Sequence, residues 1–171
     1  MKRYILFVVC LGLQLLAKPS EPSDAKALGK QLMSNLQGIF SLDHQNSEQL
    51  GHYRVPHLLN GNWVISATPI SLVDSFSKET GAIATLFVKV GDEFVRVNTT
   101  EANEAPGTIL SHSHPAYERL LGELRYTNKV TLSNKDYMAD YDVFRDRQGR
   151  VLGAYLVGIL LNAQNDEQSS K

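Results

Sequence analysis

Ala82–Thr100 reads AIATLFVKVGDEFVRVNTT. Two runs rich in Val, Phe and Thr flank Gly91-Asp92, a tight-turn pair, and the pattern predicts a β-hairpin. On the second arm a period of two puts Phe94, Arg96 and Asn98 on one face, with Val95 and Val97 on the other. A guanidinium inside such an apolar strand needs a partner, because an unpaired buried charge is costly. Two kinds of partner fit: an acid of a neighbouring strand, such as Asp140 or Asp142, or an anion from outside the chain. Asp92 and Glu93 sit at the turn, where water can solvate them.

Downstream, TEANEAPG reads as a loop. HPAYERLLGEL reads as a helix with proline in its first turn, where the missing N–H costs nothing. RYTNKVTLS, DYMADYDVF and VLGAYLVGILL read as three antiparallel strands, divided by Asn134-Lys135 and by DRQGR. Upstream, SLVDSFSKETG predicts a short helix with Leu72, Val73 and Phe76 inward, and NWVISAT, Asn62–Thr68, a short strand. AKALGKQLMSNLQGIF repeats its apolar residues Leu28, Leu32, Leu36, Ile39 and Phe40 at helical spacing. It predicts a long amphipathic helix capped by Ser23 or Asp24. Leu42–Asn62 has few apolar residues and no period, and reads as helix continuation followed by loop. The order predicts an α+β domain: one antiparallel sheet with helices on its faces.

The 171 residues suit one domain, and 43% hydrophobic content excludes a disordered chain. A net charge of -1 lacks the basic surplus of a nucleic-acid binder. Lys2 and Arg3, followed by the apolar run Tyr4–Ala17, form the pattern of a secretory signal over residues 1–17. If uncleaved, the run is a membrane tether instead. The only cysteine, Cys10, lies in that run, so thiolate and disulfide chemistry is excluded from the exported part. KPSEPSD, residues 18–24, reads as a linker, 25–161 as the domain and 162–171 as a polar tail.

FVRVNTT, GTILSHSHPAYERLLGELRYTNKVTL and KDYMADYDVFRDRQGRVLGAYLVGI, taken in that order, resemble the extracytoplasmic Cache domains of bacterial chemoreceptors. The type is the single Cache called the Cache 3/Cache 2 fusion, and residues 71–160 follow its sequence of motifs. The resemblance implies a PAS-like fold: a central five-stranded antiparallel sheet, a long N-terminal helix, short covering helices and a pocket on the sheet. It implies a small-molecule sensor outside the cytoplasm, commonly of a short carboxylate such as pyruvate, acetate, propionate or lactate. The chain departs from the pattern in three places. Glu104-Ala105-Pro106 stands where the family has an arginine, Asn128 replaces a glycine, and YDVF lacks a proline. The sequence stops ten residues after its last strand, so the expected output runs through a partner, a membrane receptor or a kinase. A homodimer through the N-terminal helix also suits the type.

The candidate ligand-binding residues are Arg96, Thr99, Tyr126, Lys129, Tyr137 and Tyr141. Arg96 offers paired donors at carboxylate spacing. Tyr137 and Tyr141 share a strand face, where phenols supply an apolar wall and a donor each; ordinary core packing explains them equally. Lys129 matches a family lysine, yet Tyr126 and Lys129 point to opposite faces unless a bulge intervenes. Asp140 and Asp142 lie opposite the tyrosines and read as solvated or salt-bridged. His112 and His114 form an HxH pair beside Pro115, where capping explains them better than a metal. No GxSxG elbow, phosphate loop or HExxH is present, so a non-enzymatic protein without cofactor is expected. An unmated Arg96 predicts that Arg96→Ala abolishes carboxylate binding without unfolding the protein. The other reading of the same residues is an interaction or structural protein with an empty pocket.

Overall fold

The computed structural model describes residues 21–65 and 72–161. The hairpin forms as its sequence demands, with β4 at Ile83–Val90 and β5 at Glu93–Thr99. The three later strands are β6 (Tyr126–Leu132), β7 (Lys135–Arg145) and β8 (Val151–Leu160). Together they make one antiparallel five-stranded sheet, in the order β5-β4-β8-β7-β6. β8 sits at its centre and carries Leu152, Ala154, Leu156 and Val157 buried on alternating faces.

The N-terminal helix is shorter than its apolar stripe suggests. α1 spans Pro22–Asn35, 14 residues, and begins inside the stretch expected to be linker. Pro22 occupies the first turn, and the Glu21 backbone N–H donates to Asp24 Oδ2 at 2.9 Å, so Glu21 precedes the helix rather than Ser23 or Asp24 capping it. Leu36 closes it, and Gly38 then passes against Asn60 and Gly61, where a Cβ would meet backbone at 2.6 Å. Asn60 locks this crossing by accepting from the Gly38 N–H and donating to the Gly38 carbonyl. Ile39 and Phe40 therefore belong to the chain beyond the helix.

The stretch expected to be helix continuation and loop is a second sheet. β1 (Phe40–Leu50), β2 (Tyr53–Asn60) and β3 (Trp63–Val64) form an antiparallel meander. A register shift between Asp43 and Ser47 interrupts the alternation of β1, which removes the period-two signal from its sequence. Of the strand expected at Asn62–Thr68, Trp63 and Val64 are paired, and Ser66–Thr68 lie outside the described residues. α2 (Leu72–Thr80) buries Val73 and Phe76 as expected, whereas Leu72 is 39% exposed. α3 is Pro115–Leu121.

The five-stranded sheet has a core on each face. One gathers α1, α2 and the meander through Leu32, Phe40, Val55, Phe76, Val95 and Val97. The other gathers α3 and the loop before it through Phe87, Phe94, Leu110, Tyr117, Tyr141 and Leu156. The outward side of α1 carries Lys26, Lys30, Gln31 and Ser34, so the seam by which it packs is spent on its own sheet.

Candidate functional site

β5 is an edge strand, and an unpaired edge invites association with other chains. The loop that follows it folds back to cover that edge. The Arg96 N–H donates to the Thr108 carbonyl, the Gly107 N–H to the Arg96 carbonyl and the Leu110 N–H to the Phe94 carbonyl, all within 3.0 Å. This return course brings two loop carboxylates over the α3 face of β5.

Arg96 points to that face and is 4% exposed, with its guanidinium over the Phe87 ring at 5.1 Å. Its Nε lies 3.1 Å from Glu101 Oε1. Nη1 donates to the Ile109 carbonyl at 2.6 Å and to Thr108 Oγ1 at 3.3 Å, and lies 3.4 Å from Glu104 Oε2. Arg96 therefore has acidic mates within the chain, which overturns the expectation of an unmated cation. The mates are also not Asp140 and Asp142. They come from the TEANEAPG loop, only five and eight residues further on, and the loop's return to the strand edge explains why pairing across strands did not reveal them.

Thr99 joins this cluster, and a bulge is the reason. The β4–β5 register shifts between Leu86 and Phe87: Phe87 faces Arg96, but Leu86 faces Asn98 and Thr85 faces Thr99. Val97 is the extra residue. Asn98 therefore lies opposite Arg96 rather than beside it, and Thr99 takes the Arg96 face. The Glu101 N–H donates to Thr99 Oγ1 at 3.0 Å, and Thr85 Oγ1 donates to Glu101 Oε1 at 2.7 Å. Thr99 and Thr85 hydroxyls are 2.7 Å apart, so the Thr99 proton goes to Thr85 and the ring of bonds closes.

The tyrosines occupy the same face further along the sheet. Tyr141 is directly opposite Tyr126 in the β6–β7 register, with ring centroids 6.2 Å apart. His114, at the cap of α3, packs on Tyr141 at 5.0 Å between centroids and on Tyr126 at 6.5 Å. Its Nδ1 accepts from the Ala116 N–H at 3.1 Å, which bears out the capping explanation for His114. Its Nε2 is 3.2 Å from Tyr141 Oη. Burial, and then the nearby Arg96 charge, push His114 down to about 4. Burial, opposed in part by Arg96, raises the Tyr141 phenol well above its ordinary value. Both are neutral at pH 7. Tyr137 shares the face, buried in the α3-side core, but no hydrogen bond or ring contact among the described residues links it to this group.

Lys129 does not join. The β6–β7 register runs without a shift from Tyr126 to Leu132, so Lys129 lies on the face opposite Tyr126. Its Nζ pairs with Asp136 at 2.9 Å, both side chains near half-exposed. His112 pairs with Glu93 at 2.9 Å and stacks on Tyr117, and among the described residues no three potential ligands cluster to hold a metal.

Asp140 and Asp142 belong to the other side of the sheet. Asp140 is fully buried beneath α1, accepting from Thr127 Oγ1 at 2.6 Å and Tyr155 Oη at 3.2 Å, with Arg125 Nε at 3.6 Å. Arg125 Nη2 bridges to Asp142 at 2.6 Å. This cluster is salt-bridged, as its sequence suggested, and separate from the Arg96 group.

Against known families, the Cache 3/Cache 2 fusion domain matches residues 22–170. No curated protein and no solved structure gives a match.

Proposed function

The chain belongs to the Cache 3/Cache 2 fusion domain family, and from that premise we propose that it senses a short carboxylate on the sheet face beneath the loop 100–114. Cache domains are extracytoplasmic sensor modules that bind small molecules, couple in general to membrane receptors and are as a rule non-enzymatic. Among the described residues no helix is long and apolar enough to cross a membrane. In this reading residues 1–17 export the protein to the periplasm, and a membrane receptor or kinase receives its signal.

One observation carries the ligand class. Among the described residues every hydrogen bond and ion pair of the Arg96 guanidinium is made by Nε and Nη1. Among the described residues Nη2 makes none, and Tyr126 and Tyr141 flank the same face with hydroxyls of their own. Charge bookkeeping then favours an exchange over an addition. Glu101 neutralises Arg96 deep in the site, whereas Glu104 is 34% exposed and more distant at 3.4 Å. A ligand carboxylate that displaces Glu104 leaves the net charge of the cluster unchanged, and an anion added beside both glutamates is repelled. Arg96 with Tyr126 and Tyr141 forms the proposed seat, Thr99 braces Glu101 beside it with its own proton spent on Thr85, Tyr137 extends its wall, and Lys129 stays outside.

The same two glutamates favour a second reading. A cation already matched by its own loop needs no exogenous anion, which suits an interaction module with no ligand. Thermal unfolding of the chain with acetate, propionate, lactate and pyruvate separates the two, since binding only the folded state raises its midpoint. A rise that grows in Glu104→Gln supports the exchange. No rise in either protein leaves the interaction module as the reading.

A further inference from the structure

We infer that His114 is a positioning residue that fixes the Tyr141 hydroxyl as a hydrogen-bond donor, so that the site takes an acceptor oxygen at Tyr141. The inference deepens the carboxylate reading and rests on it.

The proton positions follow from the geometry. The Ala116 N–H is a backbone donor, so Nδ1 of His114 must present a lone pair to it. A neutral imidazole with a bare Nδ1 carries its proton on Nε2. Nε2 is 3.2 Å from Tyr141 Oη, so the imidazole donates there and the phenol oxygen accepts. The Tyr141 proton must then point elsewhere. Among the described residues Tyr141 Oη has no second hydrogen bond, and its residue is fully buried among Phe87, Phe94 and Leu156 on the Arg96 face. A buried hydroxyl proton needs an acceptor. On this face a ligand oxygen supplies one beside the guanidinium. An ammonium in that place finds two donors facing it, and is refused.

The backbone keeps the imidazole in this state. Pro115 opens α3, and Ala116 at the next position, where an N-cap side chain finds its donor, supplies the N–H that meets Nδ1. The cap of a seven-residue helix therefore sets the polarity of a tyrosine 27 residues away.

Two variants split the roles. In His114→Asn the shorter side chain keeps the acceptor for Ala116 but cannot reach Tyr141. In His114→Gln the amide reaches Tyr141 as a donor. With propionate as probe and propylammonium as counter-probe, wild type binds only propionate. His114→Asn should weaken propionate roughly fivefold, the scale of one hydrogen bond, and His114→Gln should recover part of it. On a Tyr141→Phe background His114→Asn should cost nothing more. An equal loss with and without the Tyr141 hydroxyl overturns the positioning role. Nitrogen-15 NMR of the histidine gives a ligand-free arm: a bare Nδ1 with protonated Nε2 supports the inference, and the opposite tautomer overturns it. If wild type binds propylammonium instead, the acceptor assignment fails. If it binds neither probe, the carboxylate reading fails, while the tautomer still decides whether His114 directs Tyr141.

Discussion

Arg96 Nε and Glu101 Oε1 lie 3.1 Å apart, with both side chains almost wholly out of water. Thr85 donates to that same carboxylate oxygen, and Thr99 accepts from the Glu101 backbone. The pair thus ties β4, β5 and the covering loop together at one point.

Breaking this pair from one side leaves a charge stranded in the sheet. Glu101→Ala is expected to destabilise the protein by about 3–5 kcal/mol, and Arg96→Ala comparably. This reverses the expectation, formed on an unmated arginine, that Arg96→Ala spares the fold. The double variant Arg96→Met/Glu101→Leu should lose less than either single one, because the charge left behind, Glu104, is part-exposed and none is buried. Urea unfolding of the three proteins measures it. A double variant as damaged as the sum of the singles would mean that the pair itself, not the stranded charge, sets the cost.

Lys129 predicts the opposite extreme. Its pair with Asp136 is near half-exposed, so water and salt screen it. Lys129→Ala should change stability by no more than about 1 kcal/mol and leave carboxylate binding unaltered. A tenfold loss of binding in that variant would show that the face assignment of β6 is not what governs access to the site.

The contrast between these two cations marks what sequence alone could reach. The hairpin, the three later strands and α3 were legible because Val, Ile and Phe alternate there and glycine or asparagine marks the turns, as at Gly91 and Asn134. The buried placement of Arg96 followed from its apolar neighbours on β5. Its partner did not, because a loop that doubles back on its own strand edge carries no periodic signal. The bulge at Val97 was equally silent, and it exchanged Asn98 for Thr99 on the site face. The meander of β1–β3 was hidden by polar residues such as His44, Gln45 and Asn46 around the irregularity in β1. For Tyr126 and Lys129 the parity of the strand was sufficient, and no bulge intervened to change it.

His114 gives the fold a pH dependence whose sign is fixed by its surroundings. Burial and Arg96 hold it at about 4, against an ordinary value of 6.5. Between those values the unfolded chain binds a proton that the folded one refuses, so stability is complete above pH 6.5 and falls as the pH drops toward 4. Asp43, held down by the Asn46 amide, and Asp136, held down by Thr131 and Lys129, act below the ordinary carboxylate value of 3.8 and so outside this window. Urea midpoints between pH 7 and 4.5 should decline in wild type and flatten in His114→Asn. Parallel declines in the two proteins would assign the effect to another group.

Gly29 supplies the sharpest test of the packing beneath α1. Alanine is the better helix former by about 1 kcal/mol, so propensity alone predicts that Gly29→Ala stabilises the protein. Position 29 instead faces the sheet, where an added Cβ would lie 2.6 Å from Asp140 Oδ2 and 2.9 Å from Tyr155 Cε2. Neither neighbour is free to yield. Asp140 is held by Thr127 and Tyr155, and Tyr155 in turn accepts from Arg125. Making room means lifting the helix or parting the buried carboxylate from its donors. The variant should therefore lose about 1–3 kcal/mol, the usual cost of overpacking, and its thermal midpoint should fall by several degrees. A midpoint at or above that of wild type would show that α1 rides loosely on β7 and β8, and that Asp140 is not sealed beneath it.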